Sequence, residues 1–324
     1  MTKIRVGVAG FGNVGRGVLK AVTAFEDMEP AGVFTRRDPA AIELIDKSVP
    51  VYTIKQAADM KDLVDVMVLC GGSAGDLAEQ GPQMASIFNT VDSYDTHAKI
   101  PVYMASINAA ATKTTAIISA GWDPGLFSMI RAFSEAILPG GSTYTFWGKG
   151  VSQGHSDAIK RLGGVKHAIQ YTVPVDSAVE AARSGQRPVL TARQKHLREC
   201  YVVAQQGADQ SAIEREIKTM PDYFADYDTT VHFIEEPEFM SAHMEMPHGG
   251  MVLHSGDTGG NAQSIEFSLK LASNPEFTGS IMAAYARAAY RLAAQGQFGA
   301  KTVLDVPLSY LSPEPREEVI KRLL

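Results

Sequence analysis

Three glycines near the amino terminus have the spacing of a nucleotide-binding loop. Gly10, Gly12 and Gly15 form a Gly-x-Gly-x-x-Gly motif between the apolar, β-branched segment 4–9 and a segment of helical apolar spacing, 16–25. In a strand–loop–helix setting the first glycine permits a tight turn, the second a close backbone approach to a diphosphate, and the third close helix packing. We therefore predict that a dinucleotide is bound by Gly10, Phe11, Gly12, Asn13, Val14 and Gly15.

The end of the second predicted strand discriminates between the two nicotinamide dinucleotides. Enzymes that use NAD usually place an acidic residue there, on the ribose hydroxyls. This chain instead has Thr35, Arg36 and Arg37, and its first carboxylate is Asp38. Two guanidinium groups and a hydroxyl suit a 2′-phosphate, which takes charged, forked hydrogen bonds. The predicted cofactor is therefore NADP.

A third apolar segment, 64–70, runs into a turn of small residues. Small side chains at this position would allow the nicotinamide ribose to lie close to the backbone, whereas an ordinary turn has the same composition. Both interpretations stay open from these residues alone. The candidate cofactor contacts in this turn are Cys70, Gly71, Gly72 and Ser73.

The elements that carry these motifs alternate between strand and helix up to about residue 120, which predicts a doubly wound parallel sheet. A turn over 121–125 marks a boundary, and the strands of the second half have few helices between them. The predicted fold is α/β, with a Rossmann domain followed by an α+β substrate-binding and dimerisation domain. The expected limits are 1–120, 121–300, and a carboxy-terminal segment, 301–324, that returns to the Rossmann domain.

Composition excludes several classes of function. With 45% hydrophobic residues, 20% charged residues and a net charge of −6, the chain resembles ordinary globular enzymes and lacks the basic surface that nucleic acids or anionic membranes require. Two cysteines are too few for a disulfide framework or a thiolate metal site. No apolar run is long enough for a membrane span and no signal peptide is evident, so a cytoplasmic location is expected. His243 and His248 are separated by Met246-Pro247 and predict no metal site.

Further motifs in order along the chain resemble those of a known family. The segments are 4–16, 34–37, 91–95, 121–125, 145–148, 152–157, 170–172, 220–224, 246–250, 256–260 and Asn274-Pro275. Each is weak alone, but the ordered set is specific, and it runs from Ile4 to about Pro313. On these residues the chain resembles the meso-diaminopimelate D-dehydrogenase family.

The resemblance implies a reaction and a set of site residues. In this family NADP oxidises the D-configured amino centre of meso-2,6-diaminopimelate, and water then yields L-2-amino-6-oxopimelate and ammonia. Members form homodimers, and hexamers are possible in some. The family pattern places the following residues of this chain in the substrate pocket: Asp92, Trp122, Asp123, Phe146, Gln153, Gly154, Asp157, Thr172, Arg198, His248 and Asn274.

The chemistry of these side chains fits the implied substrate. Arg198 can hold a carboxylate with its planar fork. The resemblance groups Thr172, His248 and Asn274 at the same distal end of the substrate. Amine oxidation also needs a proton acceptor. Asp92 is the first choice, Asp123 the second, and both are the predicted catalytic residues; Asp95 and His155 are further possibilities.

Each of these residues also has an ordinary structural interpretation. An aspartate after a strand is commonly a turn or cap residue, Asp123 precedes Pro124 as in many turns, and most arginines are exposed. Two alternative functions follow: a relaxed D-amino-acid dehydrogenase on the same scaffold, and a non-catalytic NADP-binding sensor. An aspartate-semialdehyde-type enzyme would need an activated cysteine, which neither Cys70 nor Cys200 resembles.

Overall fold

The structure, a computed structural model, describes residues 3–73 and 75–324. It divides into two compact units. The first consists of residues up to Met129 together with Pro275–Leu324, and the second is Ile130–Asn274. Each unit has its own sheets and its own apolar core.

The strands and helices are numbered in chain order. The strands are β1 Ile4–Ala9, β2 Met28–Thr35, β3 Val51–Thr53, β4 Val66–Leu69, β5 Asn89–Asp92, β6 Thr115–Ile117, β7 Ser142–Trp147, β8 Gly150–Val151, β9 Val165–Pro174, β10 His196–Ala204, β11 Asp228–Phe233, β12 His248–Thr258, β13 Asn261–Leu271 and β14 Gly299–Lys301. The α-helices are α1 Asn13–Ala24, α2 Leu77–Ala85, α3 Ile100–Ala110, α4 Leu126–Ile137, α5 Gln153–Lys160, α6 Asp176–Arg183, α7 Ala192–Lys195, α8 Gln210–Thr219, α9 Glu236–Ala242, α10 Asn274–Ala294 and α11 Arg316–Leu323. No helix in the described part of the chain combines the length and apolar character needed to cross a membrane.

The first unit contains a seven-stranded sheet of order β14-β6-β5-β4-β1-β2-β3, in which every neighbouring pair is parallel. All four residues of β4 are buried, as expected for a strand covered by helices on both faces. The predicted doubly wound parallel sheet is confirmed. Its strands place the loops after β1, β2 and β4 at one edge, because the carboxyl ends of parallel strands meet there.

Helix α10 belongs to the first unit because its backbone packs on α1. A Cβ on Gly17 would lie 2.4 Å from the carbonyl oxygen of Pro275, and a Cβ on Gly279 would lie 2.3 Å from the carbonyl carbon of Gly17. Only glycine allows helices to approach this closely. The expected second domain ran from 121 to 300, whereas residues 121–129 and 275–300 lie in the first unit. Apolar spacing alone does not show which core a helix joins.

The second unit has two sheets. One has the order β11-β10-β9-β8, with β10 and β11 parallel and the other pairs antiparallel, and the second is an antiparallel sheet of order β13-β12-β7. The long β12–β13 hairpin turns at Gly259 and Gly260 and was not among the predicted elements. Alternate residues of β13 (Ile265, Phe267, Leu269 and Leu271) are apolar and at least partly buried, so the period-two signal of a strand is present in the sequence and was missed.

Candidate active site

The β1–α1 loop has the geometry that a dinucleotide diphosphate requires. Gly10 has a φ of +94°, and a Cβ on Gly15 would lie 2.1 Å from the carbonyl oxygen of Gly10. A Cβ on Gly12 would have no neighbour within 4 Å, so the backbone at this position is open to an approaching group. Gly12 is also the N-cap of α1 and makes no side-chain cap, so the positive end of the helix can serve an anion.

Two arginines connect the end of β2 to the neighbouring loops. The Arg37 guanidinium donates through Nη2 to the carbonyl oxygen of Phe11 at 2.6 Å, and its backbone N–H donates to Thr35 Oγ1 at 3.1 Å. Arg36 forms a two-bond ion pair with Asp76, at 2.7 and 2.9 Å. Its side chain is 71% exposed, so the three N–H groups not used by Asp76 are accessible. The end of β2 and the loop after it thus present two guanidinium groups and the buried Thr35 hydroxyl.

The β4–α2 loop is held by its own backbone. The N–H groups of Asp76 and Leu77 both donate to the carbonyl oxygen of Gly72, and a Cβ on Gly72 would meet nothing within 4 Å. The Ser73 hydroxyl accepts the backbone N–H of Asp95 at 3.0 Å. Burial raises the pKa of the Cys70 thiol, so this residue is a neutral thiol and not a nucleophile.

The Asp92 carboxylate lies at the carboxyl end of β5, where it is 1% exposed. Its Oδ1 accepts the backbone N–H groups of Tyr94 and Ser119, each at 3.0 Å, and its Oδ2 accepts the Tyr103 hydroxyl at 2.8 Å. Burial raises the pKa of Asp92 even though these three hydrogen bonds act to lower it. The residue therefore fastens the loops after β5 and β6, and Oδ2 keeps one acceptor position.

Trp122 and Asp123 lie in a tight turn just before α4. The turn is closed by the N–H of Gly121, which donates to the carbonyl oxygen of Pro124 at 3.0 Å. Trp122 is 8% exposed and packs edge-on against Phe127, with ring centroids 5.2 Å apart. Asp123 is half-buried. These two residues and Asp92 belong to the first unit.

Strand register brings two candidate substrate residues together in the second unit. Thr172 of β9 lies directly opposite Arg198 of β10, and Arg198 lies opposite Thr229 of β11. Residues paired in this way project from the same face of a sheet. Arg198 Nη1 donates to Thr172 Oγ1, and Gln170 Nε2 donates to the same oxygen at 3.4 Å.

Arg198 is a buried cation, only 7% exposed. Within residues 3–73 and 75–324 no carboxylate pairs with it, and its Nε has no hydrogen-bond partner. Its guanidinium carbon lies 3.9 Å from the centroid of the Tyr227 ring, which fixes the plane of the group. Burial lowers the pKa of Arg198. A buried guanidinium without a carboxylate is costly, and an anionic ligand would relieve that cost.

Phe146 lies in an apolar layer beside this cluster. It is fully buried, with its ring 6.1 Å from that of His196 and 6.3 Å from that of Tyr144. The His196 Nε2 accepts the backbone N–H of Trp147 at 2.9 Å, and burial lowers the pKa of this histidine to about 3. The ring is therefore neutral with its proton on Nδ1. Phe146 exposes no surface, and its place in the substrate pocket stays a prediction.

The first turns of α5 carry three more candidates. Gln153, Gly154 and Asp157 are exposed; Asp157 pairs with Lys160 at 3.3 Å, and Gln153 Nε2 lies 3.0 Å from the Met246 sulfur. His155 is linked through Nδ1 to the Ser152 hydroxyl at 2.7 Å. Burial, reinforced by Arg198, lowers the pKa of His155 to about 4, so it is neutral at pH 7.

Two candidates lie near the open end of the β12–β13 hairpin, one at the start of β12 and one just after β13. His248 begins β12, and its Nδ1 accepts the backbone N–H of Gly249 at 2.7 Å. Asn274 follows β13, and its backbone N–H donates to the carbonyl oxygen of Met246 at 3.0 Å. The loop before β12 is therefore tied to both Gln153 and Asn274 through Met246.

Several residues at these sites were not predicted. Tyr103 and Asp76 hold predicted residues in the first unit. In the second unit Gln170 bonds Thr172, while Tyr227 and Thr229 adjoin Arg198. A faint signal existed for Gln170, which is two residues from Thr172 in a predicted strand and must share its face. The others depend on contacts between distant segments.

Comparison with known proteins gives consistent results. Residues 121–273 match the diaminopimelic acid dehydrogenase C-terminal domain family. The meso-diaminopimelate D-dehydrogenase of Ureibacillus thermosphaericus is 58% identical over 327 residues, which cover all of both chains. The diaminopimelate dehydrogenase of Corynebacterium glutamicum, solved in complex with diaminopimelate, is 47% identical with a TM-score of 0.93 over all of both chains. An engineered D-amino acid dehydrogenase bound to NADP+ is 45% identical, with a TM-score of 0.88 and full coverage of both chains.

Proposed function

The chain belongs to the meso-diaminopimelate D-dehydrogenase family, and we propose that it catalyses the reversible NADP-dependent oxidative deamination of meso-2,6-diaminopimelate. The D-configured centre is oxidised, and the products are L-2-amino-6-oxopimelate and ammonia. The structural observation that carries the substrate assignment is the buried Arg198 without a carboxylate partner in the described chain. A dicarboxylic diamine supplies such a partner.

NADP fits the loops of the first unit. The open backbone at Gly12 and the uncapped α1 suit the diphosphate, and the two arginines after β2 suit the 2′-phosphate. When bound, NADP accepts the hydride from the substrate. The proposed cofactor contacts are Gly10, Phe11, Gly12, Asn13, Val14, Gly15, Thr35, Arg36, Arg37, Cys70, Gly71, Gly72 and Ser73.

The second unit supplies the proposed contacts for the distal, L-configured end of the substrate. Arg198 and the Thr172 hydroxyl provide donors for a carboxylate, and both are fixed before any ligand binds because they are buried and bonded to each other. Such preorganisation lowers the entropy that is lost when this end of the substrate binds. The further proposed substrate contacts are Trp122, Phe146, Gln153, Gly154, Asp157, His248 and Asn274.

Asp92 and Asp123 are the proposed binding and proton-accepting groups for the reacting amine. Hydride loss requires the neutral amine, so one carboxylate must take a proton from the ammonium form. The raised pKa of Asp92 makes it a stronger base than an ordinary carboxylate, and its Oδ2 retains an acceptor position. Asp123, half-buried in its turn, is the second candidate.

The reaction is tested by its stoichiometry. The purified protein is incubated with meso-2,6-diaminopimelate and NADP, and NADPH and ammonium are both measured with time. Equal molar amounts are expected. Formation of NADPH without ammonium would mean that a different bond is oxidised and would refute oxidative deamination.

A relaxed D-amino-acid dehydrogenase is the second candidate, favoured by the full-length similarity to the engineered enzyme of that activity. The Arg198–Thr172 pair argues against it, because simple D-amino acids lack a second carboxylate. Turnover of D-alanine or D-leucine at the rate of meso-diaminopimelate would establish it.

We also propose a cytoplasmic homodimer, on the basis of the family. The chain has a mass of 34.8 kDa, so light scattering should give about twice that value.

A further inference from the structure

The Gln170 side chain lies within hydrogen-bonding distance of the Thr172 hydroxyl. It is fully buried, and its Nε2 donates to Thr172 Oγ1 at 3.4 Å. Its Oε1 is also buried and has no hydrogen-bond partner among the described residues. Buried side-chain oxygens are nearly always bonded, so this one calls for a donor that the described chain does not supply.

The two hydrogen bonds that the Thr172 hydroxyl oxygen accepts determine where its hydroxyl proton can point. A threonine hydroxyl has two acceptor positions and one proton. Arg198 Nη1 and Gln170 Nε2 occupy both acceptor positions, so the hydroxyl can only donate to a further group. Arg198 Nε is likewise buried without a partner among the described residues, so the cluster offers Arg198 Nε–H and Thr172 O–H as donors and Gln170 Oε1 as an acceptor.

This donor and acceptor set is complementary to one chemical group. A carboxylate accepts from both donors, while an ammonium group on the adjacent carbon donates to the amide oxygen. We propose that Gln170 is a specificity-determining residue, which selects an α-amino acid end over a plain carboxylate by accepting a hydrogen bond from its ammonium group. The inference rests on the proposed function, since it names the part of the substrate that this cluster recognises.

Neighbouring residues hold the cluster in this arrangement. The Tyr227 ring covers one face of the Arg198 guanidinium, and Thr172 Oγ1 accepts a hydrogen bond from its Nη1. Together these contacts hold the orientation of the guanidinium, including its Nε. Thr229, opposite Arg198 on β11, has a buried hydroxyl that also lacks a partner in the described residues. Gln170 is fixed from the other side, because its backbone N–H donates to the Ser156 hydroxyl at 2.9 Å.

The test compares two ligands that differ only in the ammonium group. L-2-Aminopimelate has an L-α-amino acid end, whereas pimelate has the same chain and both carboxylates without an amine. Their affinities for the NADPH-loaded protein are measured by calorimetry. The wild type should prefer L-2-aminopimelate by about tenfold or more, as expected for a charged hydrogen bond in a buried site. Gln170→Met, which keeps the volume and removes the acceptor, should reduce this ratio to about two or less.

A matched variant separates recognition from general damage. Gln205→Met makes the same replacement at an exposed glutamine just beyond β10, and it should keep the wild-type ratio. An unchanged ratio in Gln170→Met, or equal weakening of both ligands, would overturn the inference, because a purely structural role affects both alike. If Gln170→Met fails to fold, Gln170→Glu retains an acceptor and should keep or increase the preference; loss of the preference there would also overturn it.

The proposed function is judged separately. If the wild-type protein turns over meso-2,6-diaminopimelate but the ratio of the two ligand affinities does not depend on Gln170, only this inference is refuted. A protein that shows the Gln170-dependent ratio without turnover refutes only the proposed reaction.

Discussion

The two regions of the molecule that are proposed to bind ligands are built in opposite ways. The cofactor loops of the first unit consist mainly of backbone: Gly12 leaves open space, and Gly15 has no room for a side chain. The cluster around Arg198 consists of side chains, almost fully buried, that meet across three strands. The first region forms as soon as the short glycine motif adopts its loop. The second region forms only when β9, β10 and β11 pair in the correct register.

This difference has an energetic side. Backbone N–H groups at a helix start cost little when no ligand is bound, because water can reach them. The buried cluster leaves Gln170 Oε1, Arg198 Nε and Thr229 Oγ1 without partners in the part of the chain that the structure describes, and each such atom destabilises the fold. The second region therefore gives up stability of the free protein in exchange for a preorganised site. Substitutions should separate the two regions in stability as well as in activity.

The largest effect should come from Gly15→Ala in the cofactor loop. The new Cβ would lie 2.1 Å from the carbonyl oxygen of Gly10, so the loop must distort, at a cost of about 3 kcal/mol, and NADP binding should be lost. Gly12→Ala is the matched variant. It should keep wild-type thermal stability because its Cβ meets no protein atom, and it should lose affinity for NADP because the Cβ occupies space proposed for the diphosphate. Thermal unfolding and NADPH titration measure both properties. Equal melting temperatures for the two variants would show that the loop is not sterically fixed.

Asp92→Asn should lower kcat by about a hundredfold or more while the protein remains folded. The amide oxygen can still accept the N–H groups of Tyr94 and Ser119, so the loops stay attached. In the wild type, burial raises the Asp92 pKa, so kcat should fall as pH decreases through a value above the usual 3.8. Steady-state rates across pH and a melting curve check these points. A folded variant with wild-type kcat would leave Asp123 as the proton acceptor, which Asp123→Asn then tests.

Arg198→Met should raise the KM for meso-2,6-diaminopimelate by about a hundredfold, since it removes a charged, forked contact. The KM for NADP should not change if the two regions act independently. Arg193→Met is the control, because this arginine is half exposed and pairs with Asp228. A parallel rise in both KM values would contradict the separation of the regions, and an unchanged substrate KM would remove Arg198 from the site.

Arg36→Ala combined with Arg37→Ala should raise the KM for NADP by about tenfold and leave the KM for NAD nearly constant. The double change removes the two guanidinium groups proposed for the 2′-phosphate, and NAD does not carry that phosphate. Initial rates with each cofactor at saturating substrate provide the measurement. Similar losses with both cofactors would indicate that the arginines only hold the loops, through Phe11 and Asp76.

The effect that is smallest at neutral pH, and grows only in acid, concerns His196 in the second region. Burial lowers its pKa to about 3 in the folded protein, against 6.5 for an ordinary histidine. Folding stability that is fully present above pH 6.5 should therefore decrease as pH falls toward 3, by about 1 kcal/mol per pH unit. His196→Gln should remove that part of the slope, measured by denaturant unfolding at several pH values. Identical slopes in the two proteins would show that the histidine titrates normally.

More of the first region than of the second could be predicted from the sequence. The glycine motif, Thr35 and the arginine pair are contiguous, so local rules on turns and strand ends identify them. Helix α10 was assigned to the other domain because its contact with α1 depends on Gly17 and Gly279, far apart in the chain. The second region depends on pairing between β9 and β10, in which Thr172 meets a residue 26 positions away. Spacing alone cannot show this register, so Arg198 entered only through family resemblance and Gln170 was not identified.

The central claim is that one chain combines an NADP site with a site that recognises a particular stereoisomer of diaminopimelate. The most direct measurement is NADPH formation with the meso, LL and DD isomers offered separately, each with NADP and then with NAD. The proposed function predicts rapid turnover of the meso isomer with NADP, far slower turnover of the LL isomer, and a marked loss with NAD. Tight NADPH binding without turnover of any isomer would contradict it and would favour a non-catalytic NADP sensor.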